Sequence, residues 1–211
     1  MSLLDMVGNM ATDSKINGVV IGIVTNNKDP EGIGRIRVKF PWLSDEDESN
    51  WARVASLMAG KDRGIFILPE IDDEVLVVFE HGDINVPYVI GSLWNGKDVP
   101  PEINTDGKNN IRMMKSRSGH VIRIDDTDGN EKIEIVDKTE KNMITIDTEN
   151  NKISIISNKD IEMSAPNGKI TIDAMDIEIK SSTATKIEAS AGMDLKASGN
   201  VNVKGATINL N

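Results

Sequence analysis

The chain has 211 residues, 24 Lys+Arg against 34 Asp+Glu, no cysteine and seven aromatics. The missing cysteines exclude disulfides and thiolate metal sites, and no apolar run approaches the ~18 residues of a membrane helix. A formal charge of −10 argues against nucleic acid, whose binders need Lys and Arg to displace phosphate counterions.

Composition divides the chain. All the aromatics (Phe40, Trp42, Trp51, Phe66, Phe79, Tyr88 and Trp94) precede residue 95, so the remainder cannot fill a wide core. Acid is uneven too: residues 1–110 carry 18 Asp+Glu against 10 Lys+Arg, and residues 111–211 carry 16 against 14.

Residues 1–17 form the first segment, with no basic start or long apolar run of a signal peptide. Leu3, Leu4, Met6, Val7 and Met10 fit one face of a short helix, which either lies on the protein's own barrel, is a tail, or contacts another protein. From Gly18 short alternating strands follow: 18–25, 35–40, 51–57, 64–68, 74–80 and 87–93. In the second, Ile36, Val38 and Phe40 alternate with Arg35, Arg37 and Lys39. Five or six such strands in residues 18–95 suit a small closed barrel, which leaves no sheet edge. Residues 96–110, with Pro100-Pro101 and many Asn and Gly, read as a linker.

Beyond it come five-residue units with an aliphatic at every second position, starting at Val121, Lys132, Met143, Lys152, Asp160, Lys169, Asp176, Lys186, Asp194, Val201 and Thr207. A short period of this kind marks a β-solenoid. Two or three small aliphatics per unit make a narrow core, which three chains each giving one strand to a layer would enclose, so residues 111–211 are expected to form an intertwined, trimeric, triple-stranded β-helix; a solenoid closed by one chain is the alternative. Eleven layers at about 4.8 Å give a shaft of roughly 50 Å. The side chains expected to meet at the three-fold axis are Ile133, Ile135, Ile144, Ile146, Ile153, Ile155, Ile170, Ile172, Ile177 and Ile179.

Residues 18–101 resemble the oligonucleotide/oligosaccharide-binding (OB) type barrel of the baseplate V / central spike family of contractile phage tails, related to the valine-glycine repeat spikes of type VI secretion. The resemblance rests on Gly22-Ile23-Val24-Thr25, Asp29-Pro30, Gly34 to Trp42, Trp51-Ala52-Arg53-Val54, Ala59-Gly60, Phe66, Leu68-Pro69, Asp73 to Val77, Phe79, Gly82-Asp83, Pro87 and Gly91 to Asn95. Ser118-Gly119-His120 with Asp125-Asp126 and Gly129 is similar to the family's entry into the β-helix. The family often has a glycine where Ile71-Asp72 stands, which places that local turn in question. The resemblance implies an all-β homotrimer: an OB-fold barrel at a baseplate hub protein, then a needle pointing at the target cell envelope. It carries no lysozyme or hub domain of the kinds some relatives have, so a separate hub is expected. The end, Asn-Leu-Asn, lacks the iron-binding His-x-His of some relatives, and a separate small conical tip protein is expected there.

Sharper chemistry fares poorly. Setting Gly129 at the glycine of a calcium loop places Ile124 and Ile135 at ligand positions, so 125–131 reads as a turn. Ser118, His120 and Asp125 supply triad residue types without a nucleophile elbow. The acidic run Asp45 to Glu48 reads as a solvated loop. The function expected is structural: a spike that pierces the envelope on sheath contraction, made in the bacterial cytoplasm and assembled into a baseplate, with no catalysis, cofactor or metal. The rival is an effector-delivery spike of a type VI-like or extracellular injection system.

Overall fold

The computed structural model describes residues 15–43 and 47–209. The apolar stretch of the first segment, with the hub contact expected of it, and Asp45 and Glu46 of the acidic run lie outside them. Among the described residues there are twelve strands, the sole helix is one 3₁₀ turn, Glu80–Gly82, and no helix is long and apolar enough to cross a membrane.

Five strands close a barrel: β1 (Val20–Asn26), β2 (Arg35–Lys39), β3 (Ala52–Val54), β6 (Glu74–Phe79) and β7 (Pro87–Leu93). The order round the barrel is β1-β2-β3-β7-β6, antiparallel except for the β3–β7 pair. This is the OB arrangement, and closure leaves no barrel edge unpaired. Alternation explains the core. Val24, Ile36, Val38, Phe40, Ala52, Val75, Val77, Phe79 and Val89 point inward and are buried, with the Phe40 and Phe79 rings 5.5 Å apart. Arg35 and Arg37 take the other face of β2 and lie over the Trp51 ring.

The β1–β2 loop is pinned by Asp29, whose side chain is 3 % exposed. Arg35 donates two side-chain hydrogen bonds to it, and the Glu31, Ile33 and Arg35 backbone N–H groups add three more. The guanidinium holds the Asp29 carboxyl far below the usual carboxylate range despite its burial. Asp72 adopts φ 73°, the left-handed conformation a glycine would take, so the turn in question is kept. Its N–H donates to the Val24 carbonyl at 2.9 Å.

One expected strand differs. Residues 64–68 are not a barrel strand. β4 (Ala59–Gly60) and β5 (Arg63–Gly64) make a small hairpin, and Ile65, Phe66 and Ile67 follow it exposed. Their consecutive apolar side chains lack the period of two that buries one barrel face, and β3 and β7 already pair with each other there.

After the linker, β8 (Ile111–Lys115), β9 (Val121–Asp125), β10 (Lys132–Val136), β11 (Met143–Asp147) and β12 (Lys152–Ile156) form an antiparallel meander. The last four begin where the repeat units do; β8 precedes the repeat as read from sequence. These five strands pair within one chain, whereas the sequence reading had each chain give one strand to each layer. The connections are short enough for hairpins: six residues between β10 and β11 and four between β11 and β12.

Residues 160–211 form a second unit. Its seven repeat units form no strand among the described residues, and their described residues are exposed. A strand exists only as part of a ladder, and these units have no neighbouring ladder in the single chain.

Gly22 permits the closest approach inside the barrel: a Cβ there would lie 3.2 Å from a Val77 methyl and 3.3 Å from the Val38 Cβ. Gly22→Ala is expected to lower stability by about 1–3 kcal/mol through overpacking. Asp72→Gly is expected to raise it by up to about 1 kcal/mol through relief of the left-handed residue. Urea titration of both variants checks the two signs.

Candidate functional site

Register places the meander's aliphatics opposite one another. Ile133 faces Ile124 and Ile146, Ile135 faces Ile122 and Ile144, and Ile155 and Ile153 face Ile144 and Ile146. Met114 continues the row on β8, opposite Ile122. Side chains directly opposite on antiparallel strands share a face, so nine aliphatics occupy one side of one sheet.

That side is bare. Ile124, the most covered of the nine, is 41 % exposed, and Ile153 is 69 % exposed. Contiguous apolar patches of more than a few hundred Å² are uncommon on soluble monomers and mark interaction surfaces. Covering each isoleucine would contribute on the order of 1–2 kcal/mol. A depression of about 510 Å³ lies at one end of the row, lined by Met114, His120, Ile122, Ile135, Ile144 and Ile155 among others.

The opposite face is mixed: an apolar row of Val121, Val136, Met143 and Ile156 lies at one end, and charged and polar residues fill the rest. Arg123 pairs with Asp125 at 2.8 Å and approaches Glu134 at 3.8 Å. Asp125, 3 % exposed, is held below the ordinary carboxylate pKa first by the Thr127 side chain, then by its backbone N–H and by Arg123 and Lys132, against burial. The hairpin turns are built on aspartates. Asp137 accepts from the Thr139 and Asn142 side chains and backbones, and Asp147 accepts from Asn150. Each turn holds one residue at positive φ, Glu140 at 58° and Asn151 at 49°.

Of the ten isoleucines expected at an axis, the structure gathers six on this face: Ile133, Ile135, Ile144, Ile146, Ile153 and Ile155. Ile170, Ile172, Ile177 and Ile179 lie in the second unit, 52–73 % exposed, with no strand partner among the described residues. The reading missed Met114, Ile122 and Ile124. Their signal was the same alternation begun two strands earlier, hidden in β8 by flanking Arg112 and Lys115.

The triad residue types do not converge. The Ser118 hydroxyl lies 3.3 Å from that of Ser116, His120 Nδ1 accepts the Lys138 N–H, and Asp125 serves Arg123 and Thr127. Residues 125–131 are a turn closed by the Asn130 N–H donating to the Thr127 carbonyl, with Arg112 paired to Asp126. Among the described residues no group of three His, Cys, Asp or Glu is placed to hold a metal.

The barrel beneath this sheet decides the relationship. Residues 20–94 match the family model of the type VI secretion system/phage-baseplate injector OB domain. The barrel is thus an injector OB domain of the kind shared by phage baseplates and type VI secretion systems, and the matched residues are about a third of the chain. The chain is also similar to curated spike proteins: it is 36 % identical over 103 residues to the type VI secretion system spike protein VgrG2a of Pseudomonas aeruginosa, a match covering 44 % of this chain and 12 % of that protein. Spike protein VgrG1a of the same organism is 33 % identical over 113 residues, covering 48 % and 18 %. VgrG3 of Vibrio cholerae is 31 % identical over 102 residues, covering 44 % and 10 %. The match thus spans less than a fifth of each of these relatives.

The five-stranded sheet should be sensitive to acid at its turns. Burial pulls the Asp137 pKa upward, but hydrogen bonds from Asn142, Thr139 and Lys141 outweigh it and hold the carboxyl at about 2, below its ordinary 3.8. A depressed carboxylate pKa stabilises fully above the ordinary value and ceases to as pH falls through the folded one. Amide protection in the 137–142 turn should therefore be flat above pH 4 and fall between about 4 and 2. Asp137→Ala should remove this dependence in hydrogen exchange at stepped pH.

Proposed function

We propose that the chain is the central spike of a contractile injection machine: a homotrimeric needle at the baseplate that pierces the target cell envelope when the sheath contracts. The observation that carries this is the uncovered isoleucine face, continuous over five strands and attached to an injector OB barrel. Three copies, each presenting one such face to a common axis, would enclose a core that one copy cannot.

The shaft then has two sections. In the first, residues 111–156 of each chain supply one whole side of a triangular prism, because their five strands pair with one another within the chain. In the second, residues 160–211 supply strands to layers shared by all three chains, an intertwined triple-stranded β-helix that includes Ile170, Ile172, Ile177 and Ile179. Stiffness follows from continuous pairing and puncture from the narrow section. On this reading the protein acts mechanically and not as an enzyme, and its domains are the first segment 1–17, the barrel 18–95, the linker 96–110 and the spike 111–211. The hub protein sits at the barrel and a small conical tip protein caps the far end.

Delivery of an effector by a type VI-like or extracellular system is the second reading, favoured by the type VI spikes among the relatives. A toxin that co-purifies on the spike would select it.

Ile146→Asp would place three charges in one layer of the axis, at several kcal/mol per buried ion. The trimer, three times the 23.1 kDa chain by light scattering, is expected to be lost. Ser154→Asp, beside Ile153 but on the other face, should leave the mass unchanged. A trimer that tolerates Ile146→Asp contradicts the axial arrangement.

A further inference from the structure

The barrel carries a second bare apolar surface, and the ladders say where it lies. β1, β3 and β7 run toward one end of the barrel, and β2 and β6 run away from it. The β1–β2 loop, the segment after β3, the turn before β6 and the end of β7 therefore share that end. There stand Ile33, Leu57, Phe66, Ile67, Ile71 and Trp94, between 55 and 94 % exposed. Residues 32–34, 54–60 and 63–68 line a groove of about 630 Å³ that includes Ile33, Leu57, Phe66 and Ile67. The described start of the chain is at the opposite end, where the Ile16 N–H donates to the Gly82 carbonyl.

Six large apolar side chains so exposed amount to several hundred Å², comparable with the ~800 Å² that each partner gives up in a standard interface. Solvation alone does not account for them. The outward positions of β2 on the same barrel are Arg35, Arg37 and Lys39, so a polar exterior is available to this fold where water is the neighbour.

Two observations indicate what covers this crown. The chain leaves the barrel from it, at Trp94, toward the meander. The turn between β8 and β9 also returns to it, since Arg117 donates to Glu70, in the turn before β6, at 2.7 Å. The sheet with the bare isoleucine face is thus tied to the crowned end. In a trimer, the sheets and barrels of neighbouring copies are the apolar surfaces brought to that same place.

We infer that the crown is a contact between copies of this chain: Leu57, Phe66 and Ile67 of one barrel seat on the base of the five-stranded sheet of the next copy. The inference rests on the trimer proposed above. It assigns the crowned end to the shaft and leaves the end bearing Ile16 and Gly82 to face away from it. The contact would fix each barrel to the shaft despite the Pro- and Gly-bearing linker, so that force applied to the barrels passes into the needle without hinge motion.

The full chain, with Phe66 replaced by the photo-crosslinking residue p-benzoylphenylalanine, tests this. After size exclusion and light scattering, irradiation should give a boiled SDS band at twice the chain mass, with adduct peptides from residues 111–159 of another copy. A particle of trimer mass that gives only unlinked chains or adducts within one chain overturns the inference and leaves the trimer standing. So does a Phe66 adduct confined to a different protein in assembled tails. A monomer mass before irradiation overturns the trimer reading itself. As a second measurement, the Leu57→Ser/Phe66→Ser double variant alters no core residue and should keep the trimer mass. Its linker, residues 96–110, should be cut by protease several-fold faster than in the parent, and equal cutting rates count against the contact.

Discussion

An extended chain leaves its peptide N–H and C=O groups in want of partners, and an alternating chain leaves one face in want of cover. How far each need is met within a single copy changes along this protein. In the barrel both are met: the sheet closes on itself and its aliphatic face is the core. In the meander the ladders are made, but the isoleucine face is bare and strands β8 and β12 are open edges. Among the described residues from 161 to 209 neither need is met, and one backbone-to-backbone hydrogen bond is formed, from the Gly168 N–H to the Ala165 carbonyl. Yet that stretch keeps the period of two that the meander has. A sequence patterned for burial, without anything in its own chain to bury against, points to other copies.

The turn chemistry supports the same ordering. Asp137 and Asp147 organise their hairpins through their own side chains, so the meander can form before any partner arrives. Arg123, Asp125 and Glu134 make much of the opposite face polar, while Val121, Val136, Met143 and Ile156 form an apolar row at its end. The crown adds a parallel case on the barrel: apolar residues concentrated at the end from which the chain leaves at Trp94, and Arg35, Arg37 and Lys39 outward on its flank.

Much of this was legible in the residues. Ile36, Val38 and Phe40 against Arg35, Arg37 and Lys39 gave the inside and outside of β2, and the repeat starts at Val121, Lys132, Met143 and Lys152 coincide with strand starts. What was not legible is pairing. Alternation states that a face will be buried but not by which chain, so the repeat by itself could not separate strands that pair within one copy from those that do not. The stretch 64–68 misled for a different reason: its consecutive apolar residues are suited to burial, but the β3–β7 pair had already closed the barrel beside it. Asp72 shows a third limit. A non-glycine residue in a left-handed turn is invisible to pattern, and here it keeps the turn at some cost in strain.

The central claim is that the backbone of residues 160–209 finds its partners in other copies. Hydrogen exchange on the purified full-length chain, resolved by peptide, measures this directly. The account predicts protection across that stretch at least as strong as in β9–β11, lost when the oligomer is dissociated. Exchange there at unstructured-chain rates in the intact particle would contradict it.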